Sequence, residues 1–240
     1  MAVRRKSLSR STKWLLLLLL VVGTGSLAAT TLHTIRRSHR RVTAQLDKTY
    51  ENLSGIIPSA EAALIREQGG APTYGEIAYP SMRALVKKLA IKDNDVFYDL
   101  GSGVGKFVAY VYLTTDIKKS VGIELSESRY QRSLQALQRL QVTRCIDKER
   151  VLDFVHRDIT QADFQDATVI FMCATCFSNE LLQQLTHRFV QLKPGLRIVT
   201  LRKLPENPRL KLVAHEQLPT SWSKGSPIYY YELLPETTPS

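Results

Sequence analysis

Residues 99–105 form the stretch best suited to bind a small molecule. Their sequence is Asp-Leu-Gly-Ser-Gly-Val-Gly, and they follow the short apolar run 96–98, which predicts a buried strand. Glycines let a backbone adopt positive φ and let a ligand approach without a Cβ in the way. Nucleotide-type cofactors bind where such a turn follows a parallel strand, and an acidic residue after the next strand commonly binds the ribose hydroxyls. Glu124 ends the next predicted strand, so the two segments together predict a nucleoside-binding site.

The spacing of the glycines favours one cofactor. A dinucleotide turn has the pattern G-x-G-x-x-G, in which a helix N-terminus faces a pyrophosphate. Here Gly101, Gly103 and Gly105 follow G-x-G-x-G, and Asp99 lies two residues before the first of them. S-adenosylmethionine has no phosphate; it has a ribose diol, an adenine and a zwitterionic methionine tail beside a sulfonium. The carboxylates of Asp99 and Glu124 suit that ligand, whereas a dinucleotide oxidoreductase is supported by the glycine turn alone.

A third carboxylate, Asp158, follows the predicted strand 151–156. At that position it could accept a hydrogen bond from the amino group of an adenine. An isolated Asp there is equally typical of a helix N-cap. Because Asp99 and Glu124 also stand at strand ends, the role in cofactor binding is favoured.

The elements that must position these residues alternate between strand and helix from residue 95 onward. The predicted strands cover residues 96–100, 120–124, 151–156, 168–172 and 197–201. The predicted helices cover residues 78–90, 104–115, 126–142 and 179–192, after two short helices within 42–68. Alternation of this kind predicts a parallel sheet with helices on both faces. Residues 210–217 and 227–233 predict a terminal antiparallel pair, so the fold class is α/β, a seven-strand doubly wound Rossmann-like methyltransferase sheet.

Residues 14–32 are an uncharged run that begins with a leucine block and is long enough to span a bilayer as a helix. Basic residues lie on both sides, so the positive-inside rule leaves the orientation open. A cleaved secretory signal and a mitochondrial transit peptide are the alternatives. Export would separate the domain from an intracellular cofactor, which favours a retained single-pass anchor. The predicted domains are a basic N-terminus (1–13), a transmembrane helix (14–32), a helical linker (33–71), a methyltransferase domain (72–234) and a tail (235–240).

The positive charge of the chain is concentrated near its N-terminus. The formal net charge is +11, from 33 Lys and Arg and 22 Asp and Glu residues. Residues 1–45 hold nine of the basic residues and no acidic residue, so the remainder is close to neutral. A nucleic-acid binder needs a basic face on its folded domain, and a nucleic-acid partner is therefore not expected for the globular part.

The cysteines favour a reducing compartment, because there are three of them and no disulfide framework. Cys173 and Cys176 have C-x-x-C spacing. No second pair completes a zinc site, so no metal is predicted. Two reduced thiols at the end of a strand are favoured, and redox chemistry is the alternative.

Several short motifs, taken together, resemble one family of enzymes. They are Tyr74-Gly75-Glu76, the glycine turn 99–105, Gly-Ile-Glu at 122–124, Arg157-Asp158, Val-Ile-Phe at 169–171 with Phe177 and Glu180, Gly-Leu-Arg-Ile-Val at 195–199, and Ser221-Trp222 with Pro227 and Tyr230-Tyr231. Over roughly residues 72–234 the chain resembles the catalytic core of the disruptor-of-telomeric-silencing family, the histone lysine methyltransferases that lack a SET domain. The Tyr-Gly-Glu loop and the Ser-Trp to Tyr-Tyr ending are the specific part, because many methyltransferases share the glycine turn.

The resemblance implies how the cofactor is held. Glu124 would bind the ribose and Asp158 the adenine. The loop that carries Tyr74 and Glu76 would close over the methionine end. Lys106 stands where the family has a glutamine.

The resemblance also implies a channel for an acceptor lysine, lined by Phe177, Trp222 and Tyr230. Core packing is the alternative for the first two, and a plain strand is the alternative for residues 229–231. Cys173 stands where the family has an active-site asparagine. An amide is thus missing near the transferred methyl, which predicts a different substrate or a slower reaction.

These expectations combine into a membrane-anchored S-adenosylmethionine-dependent protein lysine N-methyltransferase. Its methyl transfer would be in line, to a neutral lysine amine in the aromatic channel. The alternatives are a weak or inactive cofactor-binding module, and a methyltransferase of a non-histone membrane protein or a small molecule. A monomer on the cofactor-containing side of a membrane is expected, either the bacterial cytoplasmic face or a mitochondrial membrane.

Overall fold

A computed structural model of the chain describes residues 39–67 and 69–236. The predicted basic terminus 1–13, the predicted transmembrane helix 14–32 and most of the tail lie outside these residues. Within the described ranges, no helix is both long and apolar enough to cross a membrane. The chain divides into two units, residues 1–42 and residues 43–240, and the sheet belongs to the second.

The second unit has the predicted order of strands and helices. Residues 39–49 are helical (α1) and continue into it. The later helices are α2 (Ser59–Glu67), α3 (Tyr79–Leu89), α4 (Lys106–Thr114), α5 (Glu127–Val142) and α6 (Asn179–Phe189). The strands are β1 (Val96–Leu100), β2 (Lys119–Glu124), β3 (Val151–His156), β4 (Val169–Met172), β5 (Arg197–Thr200), β6 (Leu210–Leu218) and β7 (Ser226–Leu233).

The seven strands form one sheet with the order β3-β2-β1-β4-β5-β7-β6. The first five in this order are parallel, and β7 is antiparallel to both β5 and β6. The predicted Rossmann-like methyltransferase sheet is therefore confirmed. The strand order reverses at β1, because β2 and β4 lie on opposite sides of it. Ligands of open α/β sheets bind in the crevice that such a reversal opens at the carboxyl ends of the strands.

The core lies on both faces of the sheet. β1, β2 and β4 are almost continuously buried, as expected of strands covered on both sides. On one face, Phe107 of α4 packs edge-on against Phe97 and Phe171, with ring centroids 5.5 and 4.8 Å away. On the other face, Leu182, Leu185 and Phe189 of α6 belong to the large apolar cluster that includes alternate residues of the strands.

Two helix boundaries differ from the predicted ones by more than one residue. α4 begins at Lys106 instead of residue 104, because Gly103 and Gly105 have φ of 58° and 82° and keep the chain in the preceding loop. α6 ends at Phe189 instead of residue 192. Ser126 caps α5 as its sequence predicts, since its side chain accepts a hydrogen bond from the N–H of Arg129 at 3.2 Å.

Candidate active site

A cavity of about 640 Å³ lies at the carboxyl ends of β1, β2 and β4. Its size is ordinary for a site that binds a small molecule, for which roughly 300–1,000 Å³ is typical. Ten of the twelve predicted site residues line it, namely Tyr74, Glu76, Asp99, Gly101, Gly103, Glu124, Asp158, Cys173, Phe177 and Trp222. The reversal of strand order thus brings together residues that are spread over 149 positions of sequence.

The glycine turn is fixed to the end of β2. The N–H groups of Gly101 and Ser102 both donate to the carbonyl of Ile123, at 2.9 and 3.0 Å. The N–H of Gly103 donates to Oε2 of Glu124 at 2.7 Å. A Cβ at Gly103 would lie 2.5 Å from the ring of Tyr74, so the turn also needs glycine where the loop packs on it.

Glu124 is held in one orientation at the bottom of the cavity. Its side chain is buried, and Oε1 accepts from the N–H of Ser126 at 2.9 Å. Arg129 lies 3.9 Å from the same oxygen. Burial raises the pKa of Glu124 above its usual value, although these partners oppose the shift. A carboxylate fixed in this way is preorganised to accept hydrogen bonds from a ligand in the cavity.

Two buried polar atoms in the cavity wall have no hydrogen-bond partner among the described residues: Oδ1 of Asp99 and Oγ of Ser102. Burial, followed by the charge of Glu124, raises the pKa of Asp99 well above its usual value. Buried polar atoms in native proteins are normally hydrogen-bonded. These orphaned acceptors therefore fit a ligand that brings ammonium or hydroxyl groups, and both groups are present in S-adenosylmethionine.

The loop that carries Tyr74 and Glu76 covers one side of the cavity. The hydroxyl of Tyr74 donates to Oε1 of Glu76, and Nζ of Lys106 lies 2.5 Å from Oε2 of the same carboxylate. The guanidinium of Arg129 donates to the carbonyl of Pro72 and lies 5.1 Å from the centre of the Tyr74 ring. Burial and the nearby Glu76 raise the pKa of Tyr74, so its hydroxyl is a donor at neutral pH.

The turn between β6 and β7 continues this wall. The N–H of Ser221 donates to the carbonyl of Glu76 at 2.8 Å, and the N–H of Glu76 donates to Oγ of Ser221 at 3.0 Å. The ring of Trp222 packs so closely on Gly75 that a Cβ there would lie 2.3 Å from it. Phe177 lies against the glycine turn, with its ring 3.4 Å from the Cβ position of Gly101. The rings of Trp222 and Phe177 thus both border the cavity.

Asp158 lines the cavity after β3, and part of its side chain is used locally. Its Oδ1 accepts from both the N–H and the hydroxyl of Thr160, at 2.8 and 2.9 Å. These bonds form a local turn and not the helix N-cap weighed as the alternative, because no helix begins between β3 and β4 in the described part of the chain. Its assignment to the adenine stays a prediction.

Cys173 follows β4 directly and also lines the cavity. Burial raises the pKa of its thiol to about 11, against the lowering effect of Thr175. At neutral pH the side chain is a neutral thiol. The adjacent Ala174 has a φ of 51°, a left-handed conformation that is unusual for alanine.

A family model and several relatives of known name point to one family. The family model described as "Histone methylation protein DOT1" matches residues 55–220. The chain belongs to this family. A histone-lysine N-methyltransferase of Caenorhabditis elegans, named as H3 lysine-79 specific, is 32% identical over 143 residues, which are 56% of this chain and 15% of that protein. A protein-lysine N-methyltransferase of Saccharolobus islandicus is 27% identical over 119 residues, which are 50% of this chain and 69% of that protein.

Among solved structures, an RNA methyltransferase from Salinibacter ruber in complex with S-adenosyl-L-homocysteine is similar with a TM-score of 0.52. Its sequence identity is 22%, and the match covers 67% of this chain and 95% of that one. This likeness concerns the fold. Membership of the DOT1 family confirms the predicted class of enzyme, a methyltransferase that depends on S-adenosylmethionine. The chain spans less than a sixth of the C. elegans relative.

Two predicted site residues of this DOT1-family chain do not line the cavity. Tyr230 was expected in the lysine channel, but its hydroxyl donates to Oε1 of Glu216 at 2.6 Å, and Lys88 lies 4.2 Å from its ring centre. Its side chain packs against Glu216 and Lys88, and it does not line the cavity. Gly105 was expected to contact the cofactor. It is instead the N-cap of α4, and a Cβ there would lie 2.1 Å from the ring of Phe154.

The structure adds residues that the sequence analysis did not select. Arg129 is buried and holds the loop in front of the cavity, with Nε also donating to the carbonyl of Gly55 at 2.9 Å. One signal for it was available, because a basic residue in the first turn of a helix opposes the helix dipole. Ser221 had no signal of its own, since its role depends on contacts with a loop 145 residues away.

Proposed function

We propose that this chain is a protein-lysine N-methyltransferase that is held at a membrane by residues 14–32 and uses S-adenosylmethionine as methyl donor. The observation that carries the proposal is the composition of the cavity wall. Five acidic residues line it (Glu76, Asp99, Glu124, Asp158 and Glu180) against two basic residues, Lys106 and Arg129. An excess of carboxylates suits a cationic sulfonium donor and a cationic lysine acceptor.

The residues that would hold the cofactor line the cavity beside the glycine turn. Glu124 would accept from the ribose hydroxyls, and Asp99 from the ammonium group of the methionine tail. Lys106, which lies beside Glu76 at the mouth of the glycine turn, would face the carboxylate of that tail. When bound, the cofactor supplies a methyl group on a sulfonium, which an amine attacks in line.

The acceptor lysine would enter between Trp222 and Phe177. A lysine amine has a pKa of about 10.4 in water and must lose its proton before it can attack. Aromatic walls that exclude water disfavour the charged form and lower that pKa. No side chain has to act as a general base, and the neutral thiol of Cys173 would pack near the transferred methyl without taking up a proton.

The membrane anchor and the substrate rest on the sequence. Residues 14–32 are uncharged, and the basic excess of the chain lies on either side of them. The C. elegans relative is named as a histone methyltransferase and the S. islandicus relative as a protein methyltransferase. We propose a protein substrate at a membrane surface, on a bacterial cytoplasmic face or in a mitochondrial membrane, because the globular part is close to neutral and has no basic excess for nucleosomes.

The first experiment measures binding of S-adenosylmethionine to the full-length chain in detergent. Glu124→Gln keeps the shape of the side chain and removes its charge, so we expect roughly 10–100-fold weaker binding, the effect of losing charge-assisted hydrogen bonds. Glu127→Gln is the matched control, because this carboxylate lies three residues later and is exposed. Equal affinities of the two variants would refute the cofactor site.

The second experiment incubates the same protein with cofactor labelled on its methyl group and with a membrane extract or isolated histones. Transfer of label to lysines of a membrane protein supports the full proposal. Label on histones would replace the membrane substrate by a chromatin one. Normal cofactor binding with no labelled protein would favour an inactive binding module, the reading that Cys173 in place of the family asparagine suggests.

A further inference from the structure

Two thiols lie close together in the wall of the cavity. Cys173 follows β4, Cys176 comes three residues later, and both line the cavity. Their sulfur atoms are each 3.8 Å from the hydroxyl oxygen of Thr175. Neither is in a disulfide, and Cys176 is exposed. The third cysteine, Cys145, follows α5 and does not line the cavity.

The backbone brings the two side chains together. The chain reverses direction here, since the N–H of Phe177 donates to the carbonyl of Ala174 at 3.1 Å and Ala174 is left-handed. A disulfide needs Cα atoms roughly 4.4–6.8 Å apart. The turn that this hydrogen bond closes runs from Ala174 to Phe177, and Cys173 directly precedes it. The two sulfur atoms are each 3.8 Å from Oγ1 of Thr175, so they are at most twice that distance apart. A bond between Cys173 and Cys176 therefore requires rotation of the two side chains and local adjustment of residues 173–176.

We propose that Cys173 and Cys176 form a reversible dithiol–disulfide couple in the wall of the methyl-transfer cavity, with a low-molecular-weight disulfide as the oxidant. The thiolate of Cys176 attacks one sulfur of the small disulfide, forms a mixed disulfide and releases one small thiolate. The deprotonated sulfur of Cys173 then attacks the sulfur of Cys176 and releases the second small thiolate. The two protein thiols are oxidised, the small disulfide is reduced to two thiols, and the two protons pass to these products through water.

The accessibility of the two residues sets this order. Cys176 is exposed and can meet a small disulfide in solution, whereas Cys173 is mostly covered. Burial raises the pKa of Cys173 to about 11, so few of its thiols are thiolates at neutral pH and the second step is the slower one.

Closing the disulfide would change the border of the cavity. Phe177 follows Cys176 directly, and its ring packs on the glycine turn. Its carbonyl also accepts from the guanidinium of Arg202. Tension on residues 173–176 would displace this ring, so the oxidised protein should transfer methyl groups more slowly. This consequence rests on the proposed function, whereas formation of the disulfide does not.

The test exposes the full-length chain to increasing ratios of glutathione disulfide to glutathione, alkylates the remaining thiols and maps the peptides by mass. A tryptic peptide of residues 158–188 contains both cysteines, and residues 145–148 form a separate one. We expect the 158–188 peptide to carry no alkyl group and to be lighter by two hydrogens than its reduced form. Cys145 should be alkylated. Dithiothreitol should reverse the change. A stable glutathione adduct at Cys176, or pairing with Cys145, would overturn the proposal.

Variants separate the two steps. Cys145→Ser should form the disulfide as the wild type does. Cys173→Ser should stop at the glutathione adduct on Cys176, because the second sulfur is missing; an unmodified Cys176 in this variant would contradict the order of attack. In the Cys145→Ser protein we expect oxidation to lower methyl transfer about tenfold and reduction to restore it. If the disulfide forms and methyl transfer is unchanged, the proposed effect on the cavity is refuted. The peptide masses show whether the disulfide forms, and they do so even if the protein transfers no methyl group.

Discussion

Ser221 and Glu76 are joined by two hydrogen bonds although 145 positions of sequence separate them. One runs from the Ser221 N–H to the Glu76 carbonyl at 2.8 Å, and the other from the Glu76 N–H to the Ser221 hydroxyl at 3.0 Å. Trp222 packs on Gly75 beside them. The loop over the cofactor side of the cavity and the turn on its aromatic side therefore form one continuous wall, and neither can move far without the other.

We predict that Ser221→Ala weakens binding of S-adenosylmethionine about 3–10-fold. The substitution removes the hydroxyl that accepts from Glu76, and a hydrogen bond of this kind contributes about 1 kcal/mol. The loop that carries Tyr74 and Glu76 then opens more often. Calorimetric titration of the full-length chain measures the change. Ser223→Ala is the control in the same turn, because the Ser223 hydroxyl accepts only from Gly225 nearby; equal affinities of the two variants would show that the wall is not coupled in this way.

A second prediction concerns Asp99, whose buried carboxylate has one oxygen without a hydrogen-bond partner in the part of the chain that the structure describes. Asp99→Asn should stabilise the cofactor-free protein by about 1–3 kcal/mol at pH 7, because the charged form is desolvated and lies near Glu124. The same substitution should weaken S-adenosylmethionine binding at least about tenfold, since the ammonium group loses a charged partner.

The pH dependence identifies the cause. The pKa of Asp99 in the folded protein is raised well above 3.8, so between these two values the folded state binds the extra proton. Stability then falls as the pH rises through that window. Asparagine does not titrate, so the advantage of the variant should grow with pH across the window and level off above it. Urea unfolding of both proteins at a series of pH values measures it, and a difference that stays constant with pH would contradict the prediction.

The fold was predictable because the local signals agree with one another. Runs such as 96–100 are apolar throughout, as buried parallel strands require, and Ser126 marks a helix start. The helix boundaries that were predicted incorrectly depend on backbone conformation. Because Gly105 has a positive φ, α4 begins only after it. The identities of residues 104–106 do not by themselves show where the helix begins.

The site was predictable for residues whose position follows directly from lying at the end of a strand. Asp99 and Glu124 line the cavity for this reason. Tyr230 does not line the cavity because a strand residue can face either side of the sheet, and the side is set by its register with β5 and β6, where it pairs with Val199 and Ala214. Its role in the lysine channel stays a prediction. Arg129 was missed because its position in the first turn of α5 does not show its partners, which are the backbone carbonyls of Gly55 and Pro72.

A third prediction separates two costs of replacing a glycine. Gly105 and Gly195 both have positive φ, of 82° and 87°. A Cβ at Gly105 would clash with the ring of Phe154, whereas a Cβ at Gly195 would point into open space. Gly195→Ala should cost roughly 1–2 kcal/mol, the cost of a left-handed alanine. Gly105→Ala should cost roughly 1–3 kcal/mol more, because the methyl overpacks the core. Urea unfolding gives both values, and equal costs would mean that Phe154 moves away without penalty.

The last prediction concerns Tyr230, for which the sequence and the structure assign different roles. Its hydroxyl donates to Glu216 at 2.6 Å, away from the cavity. Tyr230→Phe should therefore lower the free energy of unfolding by about 1.5–3 kcal/mol, the contribution of a hydrogen bond to a charged group. Methyl transfer should stay within about twofold of the wild type, since kcat and KM depend on groups that border the cavity.

The neighbouring Tyr229 provides the matched control. It lies on the same strand, faces the other side of the sheet and is partly exposed, so Tyr229→Phe should change stability by no more than about 0.5 kcal/mol. Trp222→Ala, in contrast, should lower kcat/KM for the acceptor at least about tenfold while S-adenosylmethionine binding changes less. If Tyr230→Phe instead lowered kcat/KM as strongly as Trp222→Ala and left unfolding unchanged, the hydroxyl would belong to the lysine channel after all, and β7 would have to rearrange when the acceptor binds.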